Sequence, residues 1–463
     1  MTIAFICSCI YVFLYYIRPH EWIGIVEAMK PVQVTTLIAL VSIVRNPRFR
    51  FSQYFRTPHD LLVFLLLIYI CVTSDDAWGT FNRLKPVFLF YIVIVFAITD
   101  WGLLERYLTW WIIMLLFTCA VALMQLVGID PMGSYDVTSG YMKGRMILNN
   151  SILNNPNALG HTVVPAIPLV YYLCIWKRPV FVKIPSFFLI LLPAFTVFNT
   201  QSKGSYLAGS FTLLVGGLYK RHWVLQLAVL FFVSGAGIFL IKKLPRMDEF
   251  DKDEGGIQGR ETAFAFGYYL VTERNPYKGV GYKNYYDVMN EELGFGIATH
   301  GSYNEVGSTL GQIGMCIYFG ILYLNVRVLL IAKVSTVQQE RILRLLVILI
   351  LSFCVSACVI DWAFNATFFY LAAASSVFHR LMYQQQVEIA VEAHEDKLRI
   401  EHEHRVSTAS YNVHEGANLE SDQEETEVRV RYWNKIRWYD CLIAFLLVKI
   451  SLRLWEFAIE IDF

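Results

Sequence analysis

Apolar runs recur along the chain near 2–17, 26–44, 60–74, 86–99, 107–127, 158–176, 184–199, 204–219, 223–241, 303–332, 342–360 and 362–379. Neither a period of 2 nor one of 3.6 organises them, so they lack the polar face that a half-buried element keeps toward water. Such a run needs an apolar surround, and a hydrocarbon bilayer supplies one. A helix is the element that can satisfy its own backbone there. The expected fold class is an all-α polytopic membrane protein with about twelve transmembrane helices and a large periplasmic loop carrying short helices. Some runs are short enough to need tilted or interfacial ends. Composition agrees: 17% of the 463 residues are charged, whereas a soluble domain carries about a quarter.

Basic residues orient the spans. RNPRFRFSQYFR (45–56), WKRPVFVK (176–183), YKRH (219–222) and the segment from Lys333 to Arg344 fall in alternate short connections, which makes those connections cytoplasmic. The segments 18–31, 75–80, 128–157, 200–203 and 242–302 then face the other side, although Lys242, Lys243 and Arg246 run against the rule locally. Both termini are expected in the cytoplasm. The opening MTIAFICSCIYVFLYYIRPHEW lacks a basic n-region and an obvious cleavage site, and reads as a retained first span. The net charge of +1 gives no reason to expect a nucleic-acid partner. Nine cysteines lie almost entirely in apolar runs and none forms a CxxC pair, so neither a disulfide framework nor a zinc site is expected.

Five regions follow: N-terminal helices over 1–241, a periplasmic loop over 242–302, C-terminal helices over 303–382, a charged cytoplasmic tail over 383–440, and an apolar helix over 441–463. The tail is too charged to bury a core. In the last region Lys449, Arg453, Glu456 and Glu460 form one charged stripe, which fits an interfacial helix.

Four polar clusters fall on the expected outer face. In TQSKGSYLAG (200–209), Gln201, Ser202 and Lys203 occupy a very short turn, and Gly204 permits close backbone approach. A lysine at a span end can simply snorkel to the interface. In GRETAFAFGYYLVTERNPYKGVGYKNY (259–285), Arg260 opens a segment with helical apolar spacing that stops at Asn275–Pro276, before a tight turn at Gly279 and Gly281. In ATHGSYNEVGSTLGQIG (298–314), His300 precedes Tyr303, Asn304 and Glu305 at the membrane boundary, where unpaired polar groups are costly. In KGRMILNNSILNNPNALGHT (143–162), Asn residues suit a helix cap, leaving Arg145 and His161 as secondary candidates.

Lys203 and Arg260 together with His300 suit a phosphate-bearing, lipid-linked donor. Two cations stabilise a diphosphate leaving group, and an imidazole removes the proton of an attacking hydroxyl. A diphosphate leaves readily, so no separate general acid is required, and since no acidic metal motif is obvious the expected transfer is metal-independent and needs no cofactor. No nucleophile elbow, Walker loop or HExxH motif is present.

QSKGSYLAG (201–209), GRETAFAFGYYLVTERNPYKGVGYKNY (259–285), HGSYNEVGSTLGQIG (300–314) and NNPNALG (154–160) resemble the O-antigen ligase and polymerase superfamily of bacterial inner-membrane glycosyltransferases. The likeness covers about 145–330. YIRPHEW (16–22) further resembles the exosortase-associated O-glycosylation ligases of that superfamily. The resemblance implies an undecaprenyl-diphosphate-linked glycan donor, a lipid, glycan or protein acceptor, and an active site facing the periplasm. It also implies that Lys203, Arg260 and His300 are the catalytic set. Arg145, Tyr303, Asn304, Gln201 and Ser202 are then expected to bind substrate. The family's turn usually carries Arg where Lys203 stands, and Asn is common where Gly301 stands. Lysine provides a point charge in place of a bidentate clamp.

The leading expectation is thus a glycan ligase. A repeat-unit polymerase would use the same chemistry with another acceptor, and a transporter or flippase of lipid-linked sugar is the alternative of a different class. The absence of a visible inverted repeat counts against the transporter.

Overall fold

The structure, a computed structural model, describes residues 2–46, 56–134, 144–220, 255–408 and 435–462. The expected span at 223–241, the loop residues Lys242, Lys243 and Arg246, most of the basic run 45–56 and the tail from 409 to 434 lie outside the described residues. Among the described residues all regular structure is helical.

The helices in chain order are α1 (Ile3–Tyr16), α2 (Pro31–Val44), α3 (Pro58–Thr73), α4 (Ala77–Ala97) and α5 (Trp101–Met124). There follow α6 (Pro156–Ile175), α7 (Val180–Thr200), α8 (Lys203–Leu218), α9 (Gly255–Tyr269) and α10 (Tyr285–Leu293). The chain continues through α11 (Ser302–Ile331), α12 (Val337–Ala357), α13 (Ala366–Thr408) and α14 (Trp438–Asp462). Among the described residues five helices are long and apolar enough to cross a membrane: α4, α6, α7, α11, and α5 with its extension to Val127. Their starts are set locally. The carboxylates of Asp76 and Asp100 accept from the backbone N–H groups of Gly79 and Leu103 at 2.8 and 2.9 Å, capping α4 and α5.

The first half of α13 forms the centre of the bundle. Every residue from Ala366 to Met382 is buried, and the small residues Ala372, Ala373, Ala374, Ser375 and Ser376 let neighbouring helices approach closely. Tyr370, Phe368 and Phe369 are fully buried, and Phe368 stacks on Tyr318 of α11 at 4.4 Å. Arg380 would be an isolated buried cation, but its guanidinium donates to the carbonyls of Val95 and Ile98 at the end of α4, where a helix presents negative potential. By contrast α7 is peripheral and exposes Phe181, Phe187, Phe188 and Phe195, an apolar face suited to lipid.

Polar contacts gather at two ends. At one end Glu105 of α5 accepts from Arg178 (2.7 Å), Arg341 (2.8 Å) and Gln338 (2.6 Å), while Lys177 and Arg344 share Glu340. The basic residues around 176–183 and 333–344 therefore meet. At the other end lie the C-terminal end of α7, the first turns of α6, α8 and α11, and the 358–365 connection, joined by the contacts described below.

The last helix, α14, runs antiparallel along α11. Asp440 pairs with Arg327 at 2.7 Å, Lys449 donates to Gln312 at 3.1 Å, and Trp455 lies against Gly307. The charged stripe permits this because Ala444, Val448, Leu452 and Trp455 form a separate buried stripe.

Candidate functional site

Arg260 lies in α9, His300 in the loop before α11, and His161 in the first turns of α6. Arg260 is close enough that its charge acts on both histidines. The half-buried His300 is in the left-handed region, at φ 53°, a conformation that costs a non-glycine residue about 1 kcal/mol or more. Burial first, and then the Arg260 charge, hold its imidazole below the ordinary histidine value. The ring is thus neutral near neutral pH and able to accept a proton.

Three hydrogen bonds anchor the start of α11, just after this loop, to the connection between α12 and α13. The Ser302 hydroxyl donates to the Ile360 carbonyl at 2.7 Å and accepts from the Trp362 N–H at 2.9 Å, and Glu305 accepts from the Ala363 N–H at 3.0 Å. Trp362 in turn meets His161 edge to face at 6.0 Å. His161 Nδ1 is 3.0 Å from the Ser356 hydroxyl, which fixes its ring plane. Trp362 was missed at the level of sequence. Its signal was the polar interruption at Asp361, between the apolar runs 342–360 and 362–379.

The Lys203 turn packs against the same group. A Cβ at Gly204 would sit 3.0 Å from His161 Nε2, and one at Gly160 would sit 2.3 Å from Ser205 Oγ. Glycine at these two positions lets α6 and α8 touch, so Lys203, the first residue of α8, starts beside His161. The expected partners of Lys203 prove to build the turn. Ser202 caps α8 by accepting from the Ser205 N–H at 3.3 Å, and Gln201 closes α7 at φ 50° and donates to the Gly144 carbonyl at 3.4 Å. Arg145 is buried, with its guanidinium donating to the Thr200 carbonyl at 3.0 Å and to Asn157 at 3.2 Å. These bonds tie the 144–157 segment to the end of α7.

Asn304 and Tyr303 also act as braces. Asn304 donates to the carbonyls of Ala263 (3.0 Å) and Thr299 (2.7 Å), joining α9, the loop and α11, and the Tyr303 hydroxyl donates to Cys354 at 3.1 Å. The NPYKGVG segment (275–281) has a similar task. Helix α11 breaks at Gly311 (φ 64°), and the backbone groups this disturbs are paired by the segment. Ser308 and Thr309 carbonyls accept from Val280 and Gly281, while Gln312 and Ile313 donate to Pro276 and Tyr277. Gly279 and Gly311 meet backbone to backbone, where a Cβ on either would lie about 2.5 Å from its neighbour.

Beside Arg260 and His300 an apolar groove of about 590 Å³ opens between α9, α11, α12 and α14, lined by Phe264, Gly301, Tyr303, Leu447, Leu454 and Trp455 among others. The site therefore offers cations and imidazoles next to a space suited to hydrocarbon. Compared with known proteins, the chain matches no family model and no curated protein.

Proposed function

We propose that this chain is a glycan ligase of the O-antigen ligase type. It would transfer a saccharide from an undecaprenyl-diphosphate-linked donor to an acceptor hydroxyl on the periplasmic side of a bacterial inner membrane. In this reading the chain crosses the membrane about twelve times before its charged tail, and the end bearing Glu105, Arg178 and Arg341 is cytoplasmic. One observation carries the proposal: at one end of the bundle Gly204, next to Lys203, packs on His161, Trp362 joins His161 to the connection that holds Ser302 and Glu305, and the charge of Arg260 acts on His300 and His161.

The acceptor hydroxyl attacks the anomeric carbon as the bond from that carbon to the diphosphate oxygen breaks. The electron pair leaves with the diphosphate, whose charge Arg260 and Lys203 stabilise. The hydroxyl proton passes to the His300 ring, which is neutral and so able to take it. Gln201, Ser202, Arg145, Tyr303 and Asn304 hold these groups in place, and the groove adjoins the position a lipid-linked donor would occupy.

The decisive experiment incubates the purified protein, in lipid nanodiscs, with a lipid-diphosphate-linked saccharide and candidate acceptors, and reads products by mass spectrometry. Single additions to acceptor are expected; a growing ladder on the lipid would make the protein a polymerase. His300→Ala should lose transfer by about 10²–10⁴-fold while keeping donor binding. Undiminished transfer by that variant would remove His300 from the mechanism.

A further inference from the structure

The indole of Trp455 in α14 sits in a slot made by two glycines. A Cβ at Gly267 of α9 would lie 3.1 Å from its Cζ2, and one at Gly307 of α11 would lie 3.1 Å from its Cζ3. Trp455 is buried, and its Nε1 donates to the Phe264 carbonyl at 3.0 Å. Phe264 is one helical turn beyond Arg260, on the same face of α9. Its ring reaches the site as well, since a Cβ at Gly301, beside His300, would lie 3.3 Å from its Cζ. Trp455 thus holds the backbone of α9 one turn from Arg260, and the Phe264 ring packs at Gly301, the residue after His300.

The course of α14 makes this line possible. Asp440 is fixed near the far end of α11 by Arg327 and by the Tyr323 hydroxyl at 3.1 Å, and fifteen residues later Trp455 is at the Gly307 end. At about 1.5 Å per residue that rise is over 20 Å. The helix therefore follows a long apolar helix for most of its length.

We propose that α14, although Lys449, Arg453 and Glu456 leave it outside the five helices that composition alone marks as spans, is a further membrane pass by its packing along α11, returning the C-terminus to the side that carries the Arg260–His300 site, and that Trp455 is a positioning residue which sets the approach of Arg260 to His300. The second half rests on the function proposed above. The first half does not, and it reverses the expectation of two cytoplasmic termini.

The test has two arms on the full-length protein. In the first, an epitope tag after Phe463 and a cysteine at Lys278 are probed in sealed spheroplasts with protease and with a membrane-impermeant thiol reagent. Access to both from outside is expected, and access to one without the other overturns the added pass. In the second, modification of His300 by diethyl pyrocarbonate is followed against pH by peptide mass spectrometry in the wild type, Trp455→Phe and Trp455→Ala. The midpoint should rise toward the ordinary imidazole range in Trp455→Ala, with Trp455→Phe between, because Phe264 and Arg260 are released. Unchanged midpoints in both variants overturn the positioning role. Neither readout requires turnover, so failure of this proposal is separable from failure of the ligase assignment. Where transfer is observed, kcat should fall about ten- to a hundredfold in Trp455→Ala with donor KM little changed.

Discussion

At the scale of single residues, the site depends on how one charge acts on a neighbouring ring. His300 is held below its ordinary value by burial and by Arg260, so the deprotonated form persists to a lower pH than for a free imidazole. The acid limb of transfer should accordingly lie below the usual histidine range. Arg260→Gln should move that limb upward as well as slow the reaction, which a pH–rate profile of the two proteins would reveal. The same sign governs folding. The unfolded chain takes up the proton first as pH falls, so this group's contribution to stability is present above the ordinary imidazole range and declines below it. Lys203 offers a second measurement. Lys203→Ala should weaken donor binding or transfer about tenfold, and Lys203→Arg should retain activity, since a guanidinium supplies the same charge with added bidentate geometry. Both histidines and both cations were visible in the sequence. That His161 lies against the Lys203 turn was not, because the approach of α6 to α8 depends on Gly160 receiving Ser205 and Gly204 receiving His161.

At the scale of elements, a helix break is compensated by a loop from elsewhere in the chain. The Gly-x-Gly of NPYKGVG reads in isolation as a plain turn, whereas in the fold it pairs backbone groups that α11 disturbs at Gly311. Gly311→Ala and Gly279→Ala each place a Cβ into opposing backbone at a positive φ. Each should destabilise by about 3 kcal/mol or more, seen as a lowered Tm in detergent or as lost expression, whereas Gly24→Ala, with open space around it, should be neutral. The same logic reassigns Arg145. A buried arginine near a candidate phosphate site suggests a ligand, but its donors serve Thr200 and Asn157. Its removal is expected to act through stability before chemistry.

At the scale of the whole molecule, charges far apart in sequence close the end opposite the site. Glu105 holds Arg178, Arg341 and Gln338, tying α5, the 176–179 connection and α12 together. Glu105→Gln leaves Arg341, which is nearly buried, without its carboxylate, and should cost on the order of 2 kcal/mol, measured as a drop in Tm with little change in donor affinity. Positive charge in these connections was legible in the sequence. Its convergence on two glutamates, Glu105 and Glu340, was not.

Sequence alone determined that the chain is helical and rich in long apolar segments, because a bilayer-length apolar run leaves the backbone few other ways to satisfy itself. It also singled out Arg260, His300 and Lys203, because polar residues at the edge of such runs are costly enough to stand out. Only the tertiary structure decided which of their neighbours are held by hydrogen bonds within the fold, since that depends on where each donor finds its acceptor. The C-terminal helix makes the same point. Its charged stripe could have faced a membrane surface, but the two glycines that receive Trp455, forty residues apart on α9 and α11, give its other face a better partner.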